Sequence, residues 1–496
     1  MRRRAPAGPG RTFAKVLLFS FMAAAGPDPC VARAGAPAPG DATGGRLPAR
    51  AGLFERLAGA GSSRSIAADG SEGGIEETCR NLGPYYGCSI DTIVVTGNTR
   101  TKSAAILREM ATKPGSRLDE KLIRRDAAFL RGLGYFAEVD LDAEQSAPGV
   151  CRLIVSVVDR PGLFMRFPYP VVNYDFEKGL SYGFTWKVKN FRGNAENLSL
   201  SAIRRQEKEQ GAGFSWSNPW FAGRRVRLGV DAGAYRRMEE PGDANEEYVR
   251  ERVFTGVGVG IPLSRNLVRQ IWFKPSVAFE ARDSRRMLSD GDGGIGTAYI
   301  RQNFLSTGGE IEYDSRSDRI SPFDGSVARL RIRRLSSVHG LEESYIFYGA
   351  SGYFYLPVGA ERSFIVAVRS DVREGDLPTY YDMRLGGVSD VRGYSNDGER
   401  GRVKLVGTLQ YRARFLGQRI LRIPKIGEFD IAFNWTAFVD TGTLTNSLLD
   451  IDTSVFHSTA GLGIEIISPL RDIMRLEIAS DGTGQPAFYL TAGTDF

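Results

Sequence analysis

Few side chains in this sequence of 496 residues have the type and spacing that covalent chemistry needs. The two histidines, His339 and His457, fall in expected loops, and no cysteine–histidine cluster has metal-ligand spacing. Gly291 to Gly296 spells G-x-G-x-x-G, but no helix follows to seat a pyrophosphate. Asp290 and Asp292 hint at a calcium loop, yet Arg301 occupies the twelfth position, where a bidentate carboxylate belongs. No nucleophile elbow of the G-x-S-x-G kind is expected. The sequence therefore predicts no catalytic residue, metal or cofactor, and not an enzyme. The chemistry left is ionic. In Met383-Arg384-Leu385-Gly386-Gly387-Val388-Ser389-Asp390-Val391-Arg392-Gly393-Tyr394, an arginine stands between Val391 and Gly393 in a long glycine-punctuated segment. Burying such a charge without a partner costs about 3–5 kcal/mol, so wherever the segment folds it must meet an acid.

The elements that would position Arg392 are strands. Leu180, Tyr182, Phe184, Trp186 and Val188 alternate with Ser181, Gly183, Thr185 and Lys187, and Ala328, Leu330 and Ile332 alternate with Arg329, Arg331 and Arg333. Glu310 and Glu312 likewise interleave with Leu305, Ile311 and Tyr313. Period two with one apolar and one wet face describes a strand between lipid and a polar lumen. About sixteen such strands follow Leu163, and their connections alternate in length. Short ones carry Phe191-Arg192-Gly193-Asn194, Asn218-Pro219 and Pro357-Val358-Gly359; long ones run 238–247, 284–298, 373–402 and 442–457. Short turns at one end, long loops at the other and an even strand number make a membrane barrel, whereas a soluble sandwich has no reason for that parity. No run of about eighteen apolar residues offers a membrane helix. The expected fold is thus an all-β transmembrane barrel over 162–496, with loop 374–402 turned into the lumen between the eleventh and twelfth strands.

Residues 1–34 read as a secretory signal: Arg2, Arg3, Arg4, Arg11 and Lys15 precede the apolar run Val16 to Ala25, and Ala32-Arg33-Ala34 offers a cleavage site. Its removal takes six basic residues and one acidic one, so the net charge of +7 falls to about +2 and nucleic-acid binding loses its motive. Residues 35–87 are Ala, Gly, Pro and Ser-rich without periodicity, a flexible linker. From 88 to 161 the order is β-α-α-β-β: a strand Ile90 to Thr96, a turn at Gly97-Asn98, a helix over Lys102 to Met110, and a second helix from the N-cap Asp119 whose apolar face is Leu122, Phe129, Leu130 and Leu133. Strands Phe136 to Leu141 and Cys151 to Val158 close the unit. Cys79, Cys88 and Cys151 outlast the signal, which allows one disulfide and one leftover thiol in an oxidising compartment.

That order, with Val95-Thr96-Gly97-Asn98 and Leu133-Gly134-Tyr135-Phe136, resembles the POTRA domain of outer-membrane assembly and transport proteins. Joined to a barrel and to Val391-Arg392-Gly393-Tyr394, it resembles the BamA/TamA-type outer-membrane assembly and translocation superfamily, here with a single POTRA domain. The resemblance implies that the first and last POTRA strands lie parallel and adjacent, which favours a Cys88–Cys151 disulfide over Cys79 with Cys88. It implies that Arg392 points into the lumen toward an acid on a nearby strand. The matching strand ends in Phe438-Val439-Asp440, and Phe429, Ile431, Phe433, Trp435, Ala437 and Val439 would face lipid while Asp430, Asn434, Thr436 and Asp440 face inward. Arg392 with Asp440 is the expected latch. Phe488, Leu490, Ala492, Thr494 and Phe496 share a face of the last strand, and the terminal aromatic resembles the insertion signal of barrel proteins. The implied function is insertion and assembly of barrel proteins in the outer membrane, with the POTRA domain in the periplasm. The expected partners are outer-membrane lipids, unfolded barrel clients, and periplasmic chaperones or accessory lipoproteins. The alternative is transport of a dedicated partner polypeptide, and a passive porin or adhesin comes third.

Overall fold

The computed structural model describes residues 82–159 and, with breaks at several turns and loops, 168–492. The expected signal with Cys30, the linker up to residue 81 with Cys79, and Phe496 lie outside the described residues.

The first unit comprises β1 (Ser89–Thr96), α1 (Ser103–Leu107), α2 (Glu120–Gly132), β2 (Phe136–Ala147) and β3 (Val150–Asp159), with sheet order β1-β3-β2 and β1 parallel to β3. Asp119 caps α2, its carboxylate accepting from Leu122 N at 2.9 Å. The core-facing stripe of α2 is Ile123, Ala127 and Leu130, packed in one cluster with Val139, Leu141, Leu153, Val155 and Val157 of the sheet. This corrects the expected face: Leu122 is only half-buried, and Phe129 meets the guanidinium of Arg125 at 5.0 Å. An acid inside the stripe obscured its register. Asp126 is fully buried because it accepts from Ala111 N and Thr112 N, closing the segment after α1. The core also begins earlier than position 88, since Leu82 is buried within it.

Sixteen antiparallel strands then close a barrel. They are β4 (Tyr169–Asp175), β5 (Gly179–Phe191), β6 (Glu196–Arg205), β7 (Glu209–Asn218), β8 (Arg227–Glu239), β9 (Tyr248–Pro262), β10 (Gln270–Ser289), β11 (Ile295–Asp314), β12 (Gly325–His339), β13 (Ser344–Gly359), β14 (Arg362–Asp376), β15 (Val403–Ile423), β16 (Gly427–Thr445), β17 (His457–Ile467), β18 (Ile473–Ser480) and β19 (Ala487–Ala492). Alternation puts Phe184, Val253, Ile311, Trp435, Val439, Leu462 and Phe488 on the outer surface, and Glu312, Gln410, Arg412, Asn434, Thr436 and Asp440 inside. The side chains of Phe429 and Asp430 fall outside the described ones. Among the described residues no helix is long and apolar enough to cross a membrane.

Two expectations about loops need correction. Residues 284–298 are mostly strand: β10 and β11 stay paired up to Ser289 opposite Ile295, because a polar strand is stable once it rises above the apolar band. The histidines end strands rather than occupy loops, His339 closing β12 and His457 opening β17.

On the inner face, Ser217, Gly229, Gly258, Ser276 and Gly308 stand opposite one another in register across β7 to β11, leaving a band without bulky side chains. The closing pair β19–β4 is joined only at Tyr489 opposite Asp175 and Leu490 opposite Tyr174 among the described residues, while β10–β11 pairs along its whole length.

Candidate functional site: a lumen latch beside the seam

The segment 383–394 enters the barrel between β14 and β15, and glycines make that path possible. Gly386, Gly387 and Gly393 have φ of 117°, 78° and 88°, in the region L side chains rarely adopt. Gly393 also passes so close to β18 that a Cβ there would lie 2.7 Å from the Ala479 carbonyl carbon. Its N–H donates to the Tyr489 hydroxyl at 2.9 Å, tying the loop to the last strand. Leu385 and Val391 are fully buried with Val406 beneath them.

This path carries Arg392 to its acid. Its Nε donates to Asp440 Oδ2 at 2.7 Å and its Nη2 to Asp440 Oδ1 at 2.9 Å, a bidentate fork, and its backbone N–H reaches the same carboxylate at 3.2 Å. The third side of the guanidinium meets Glu477 Oε1 at 2.6 Å, and the plane lies 3.4 Å over the Phe438 ring. Thr408 Oγ1 donates to Asp440 Oδ1 at 2.8 Å. Asp440 is fully buried and Arg392 is 7% exposed, so the charges are held by one another rather than by water. Tyr394 stacks on His457 at 4.1 Å between centroids, with 3.2 Å between its hydroxyl and Nε2.

Sequence reasoning missed Glu477 and His457. Glu477 was recoverable, because in Met474-Arg475-Leu476-Glu477-Ile478 the two charges alternate with outward apolar residues. Glu310 and Glu312, inward-facing acids that could also have met Arg392, pair instead with Arg227, Lys274, Arg329 and Arg331. The letters G-x-S-x-G do occur, at Gly179 to Gly183, correcting the expectation of none. Ser181 there is buried within β5 and donates to Asn173 O at 3.4 Å, so it forms no elbow and has no adjacent base. No group of His, Cys, Asp and Glu among the described residues could hold a metal ion.

The first domain rests on the turns at one end of the barrel. Lys102 N donates to Gly193 O at 3.0 Å, Asn190 Nδ2 to Thr101 Oγ1 at 2.7 Å, Trp220 Nε1 to Glu109 Oε1 at 2.7 Å and Arg125 Nη2 to Leu267 O at 2.5 Å. Tyr135 and Phe136 are buried, and the Tyr135 hydroxyl points at Ala195 O of the β5–β6 turn, 3.4 Å away. Gly97 turns with φ 78° where a Cβ would sit 2.2 Å from Val157 O, and Asn98 Nδ2 donates to Thr101 O at 2.8 Å. Gly134 ends α2 with φ 75°. Cys88 and Cys151 form the disulfide that the resemblance implied, at a Cα–Cα distance of 6.0 Å.

Comparison with known proteins places this geometry. A profile of the Omp85 superfamily domain matches residues 190–496, more than half of the chain, and a POTRA profile, the surface antigen variable number repeat, matches 89–158. The outer membrane protein assembly factor BamA of Neisseria meningitidis is 25% identical over 177 residues, 35% of this chain and only 21% of that relative. BamA from Haemophilus ducreyi lacking POTRA domains 1–3 superposes with a TM-score of 0.51 at 16% identity, covering 82% of this chain and 84% of that one. CdiB from Escherichia coli gives 0.52 at 13%, covering 82% and 76%. With a sixteen-stranded barrel, a POTRA domain before it and a loop arginine latched to the lumen wall, the chain belongs to the Omp85 superfamily of outer-membrane proteins.

Proposed function

We propose that this protein inserts and assembles other β-barrel proteins in the outer membrane, with its POTRA domain in the periplasm and unfolded barrel polypeptides as clients. The observation that carries the reading is the seam. Among the described residues β19 and β4 share two residue pairs, and Ala492 N donates to the Asn173 side chain at 2.7 Å. Unpaired backbone groups are intolerable in lipid, so an opened seam would create two edges that a client strand can satisfy. The client exchanges its own unpaired edge for a templated one, and neither nucleotide nor metal enters that exchange. The loop that bonds to Tyr489 holds β19 from the lumen side, which ties latch and seam together.

The reading is tested by Tyr174→Cys with Leu490→Cys, which are direct cross-strand partners. Oxidised in vesicles, the pair should block insertion of an added barrel client while leaving the protein folded; undiminished insertion with the seam locked would overturn the assembly role. The second reading, export of a partner polypeptide through the lumen, is favoured by the burial of the loop as a removable plug. It predicts that the locked seam leaves secretion intact.

A further inference from the structure

The turn between β11 and β12 does not stay at the rim. Ser321 and Pro322 are buried, and they meet strands on another part of the wall: Arg412 Nη1 donates to Pro322 O at 3.0 Å and Asn434 Nδ2 to Ser321 Oγ at 3.3 Å, while the Arg414 guanidinium lies 5.0 Å over Phe323. Because β13 and β14 separate β12 from β15, these contacts cut across the lumen. Arg319 of the same turn approaches Phe129 of α2 at 5.5 Å and donates to Gln270 Oε1 at 3.0 Å. The turn is therefore an inner plug, at the POTRA end, opposite in origin to the loop that carries Arg392.

Its anchors are shared. Arg412 also holds Glu465, Nε to Oε2 at 2.9 Å, and Asn434 Nδ2 reaches the same oxygen at 3.2 Å. Arg475 stands 3.7 Å from Glu465, across from it on β18, and two residues from Glu477 on the same inner face. Glu477 is the second acid of the latch. A cavity of about 240 Å³ lined by Arg392, Gln410, Arg475, Glu477 and Thr491 adjoins these groups, and Gln410 Nε2 and Thr491 Oγ1 there have no hydrogen-bond partner.

We propose that Arg475 couples the two plugs by exchanging partners. When Arg392 leaves, Glu477 becomes a buried carboxylate without its counterion, a costly state. Arg475 is a cation on the same face, two residues along β18, and the cavity gives it room to swing. Its withdrawal leaves Glu465 to Arg412 and Asn434, whose reorientation toward that carboxylate loosens their hold on Pro322 and Ser321. Release of the outer loop thus loosens the inner turn, and displacement of the inner turn by a moving POTRA domain weakens the latch by the same route.

The test is the reaction rate of a thiol reporter, Ser321→Cys, with a soluble maleimide in the folded full chain, in a Cys30→Ser, Cys79→Ser background. Arg392→Ala should raise the rate about tenfold, and adding Glu477→Gln should return it close to the parent rate, because the acid that draws Arg475 away is gone. Simple loosening of the barrel predicts the opposite, a second substitution that adds to the first. The proposal is overturned if Arg392→Ala leaves the rate unchanged or if Glu477→Gln increases it further. Should Arg392→Ala fail to fold, Arg392→Lys keeps the charge and loses the fork; it should give a smaller rise that Glu477→Gln again suppresses, and the same two outcomes overturn the proposal.

Discussion

At the scale of residues, Arg392 is the group whose setting was legible. A guanidinium flanked by Val391 and Gly393 had to find an acid; the family resemblance pointed to the strand ending at Asp440, and that strand's inward parity agreed. The second acid was recoverable from the alternation of β18, but Arg475 two residues away on the same face offered Glu477 a nearer partner than a loop 85 positions off. Arg392→Ala leaves Asp440 buried without its cation and Glu477 dependent on Arg475, so we expect a loss on the order of 3–5 kcal/mol, read as a lower temperature for loss of folded migration in SDS gels. Glu477→Gln should lose less, because the fork to Asp440 survives; equal losses would mean the third contact bears as much as the other two. Exchanging the two charges, Arg392→Asp with Asp440→Arg, should recover only part of the loss, since the carboxylate introduced on the loop would face Glu477. Asp159 offers a prediction of another kind. Burial alone would raise its pKa, but the Thr101 hydroxyl and the backbone N–H groups of Arg100, Thr101 and Thr99 outweigh it and hold the carboxyl below its ordinary value. A depressed folded-state pKa contributes stability that is present above the unfolded value of about 3.9 and is lost as pH falls through the folded one. Thermal melts of Asp159→Asn should therefore be lower than the parent's at neutral pH and converge with them in acid.

At the scale of elements, capping and turn chemistry were readable and the helix face was not. Asp119 and Gly134 bound α2 because a side-chain acceptor and a positive φ are local requirements. Which stripe of α2 faces the sheet is a tertiary matter, and the buried Asp126 looked like a surface residue until its two backbone donors were seen. The β11–β12 turn was invisible for the same reason, since Ser321-Pro322-Phe323 spells an ordinary turn and its anchors lie about ninety positions away or more. The disulfide belongs here because it joins two strand starts. It closes a separation of 63 residues, and chain entropy assigns such a closure about 4 kcal/mol. Cys88→Ser with Cys151→Ser should lower the first domain's melting temperature while leaving barrel migration unchanged; a matching fall in both would show that the domain supports the barrel's stability.

At the scale of the whole molecule, strand number, closure and the place of the loop followed from period two and from the parity of connections. The docking of the first domain did not, because it depends on turns such as Asn190 to Ala195, where Asn190, Arg192 and Ala195 adopt positive φ and Asn190 Nδ2 and Gly193 O meet Thr101 and Lys102. Deleting residues 82–159 should leave a barrel that still migrates as folded yet inserts clients in vesicles at a small fraction of the parent rate. Insertion at the full rate would make that domain a spacer.

The band from Ser217 to Gly308 has a mechanical consequence. Ion pairs cross between strands from β15 to β18, and in β8 to β11 they lie on both sides of the band, Arg227 and Lys274 with Glu312 on one side and Arg252 with Glu280 on the other; along the band itself nothing larger than a hydroxyl projects. A hoop that parts at β19–β4 must flex elsewhere in the ring, and the band runs from β7 round to β11, the strand that borders the point opposite the seam. The wall thus bends along one narrow line between braced flanks, and the glycines act as its hinge.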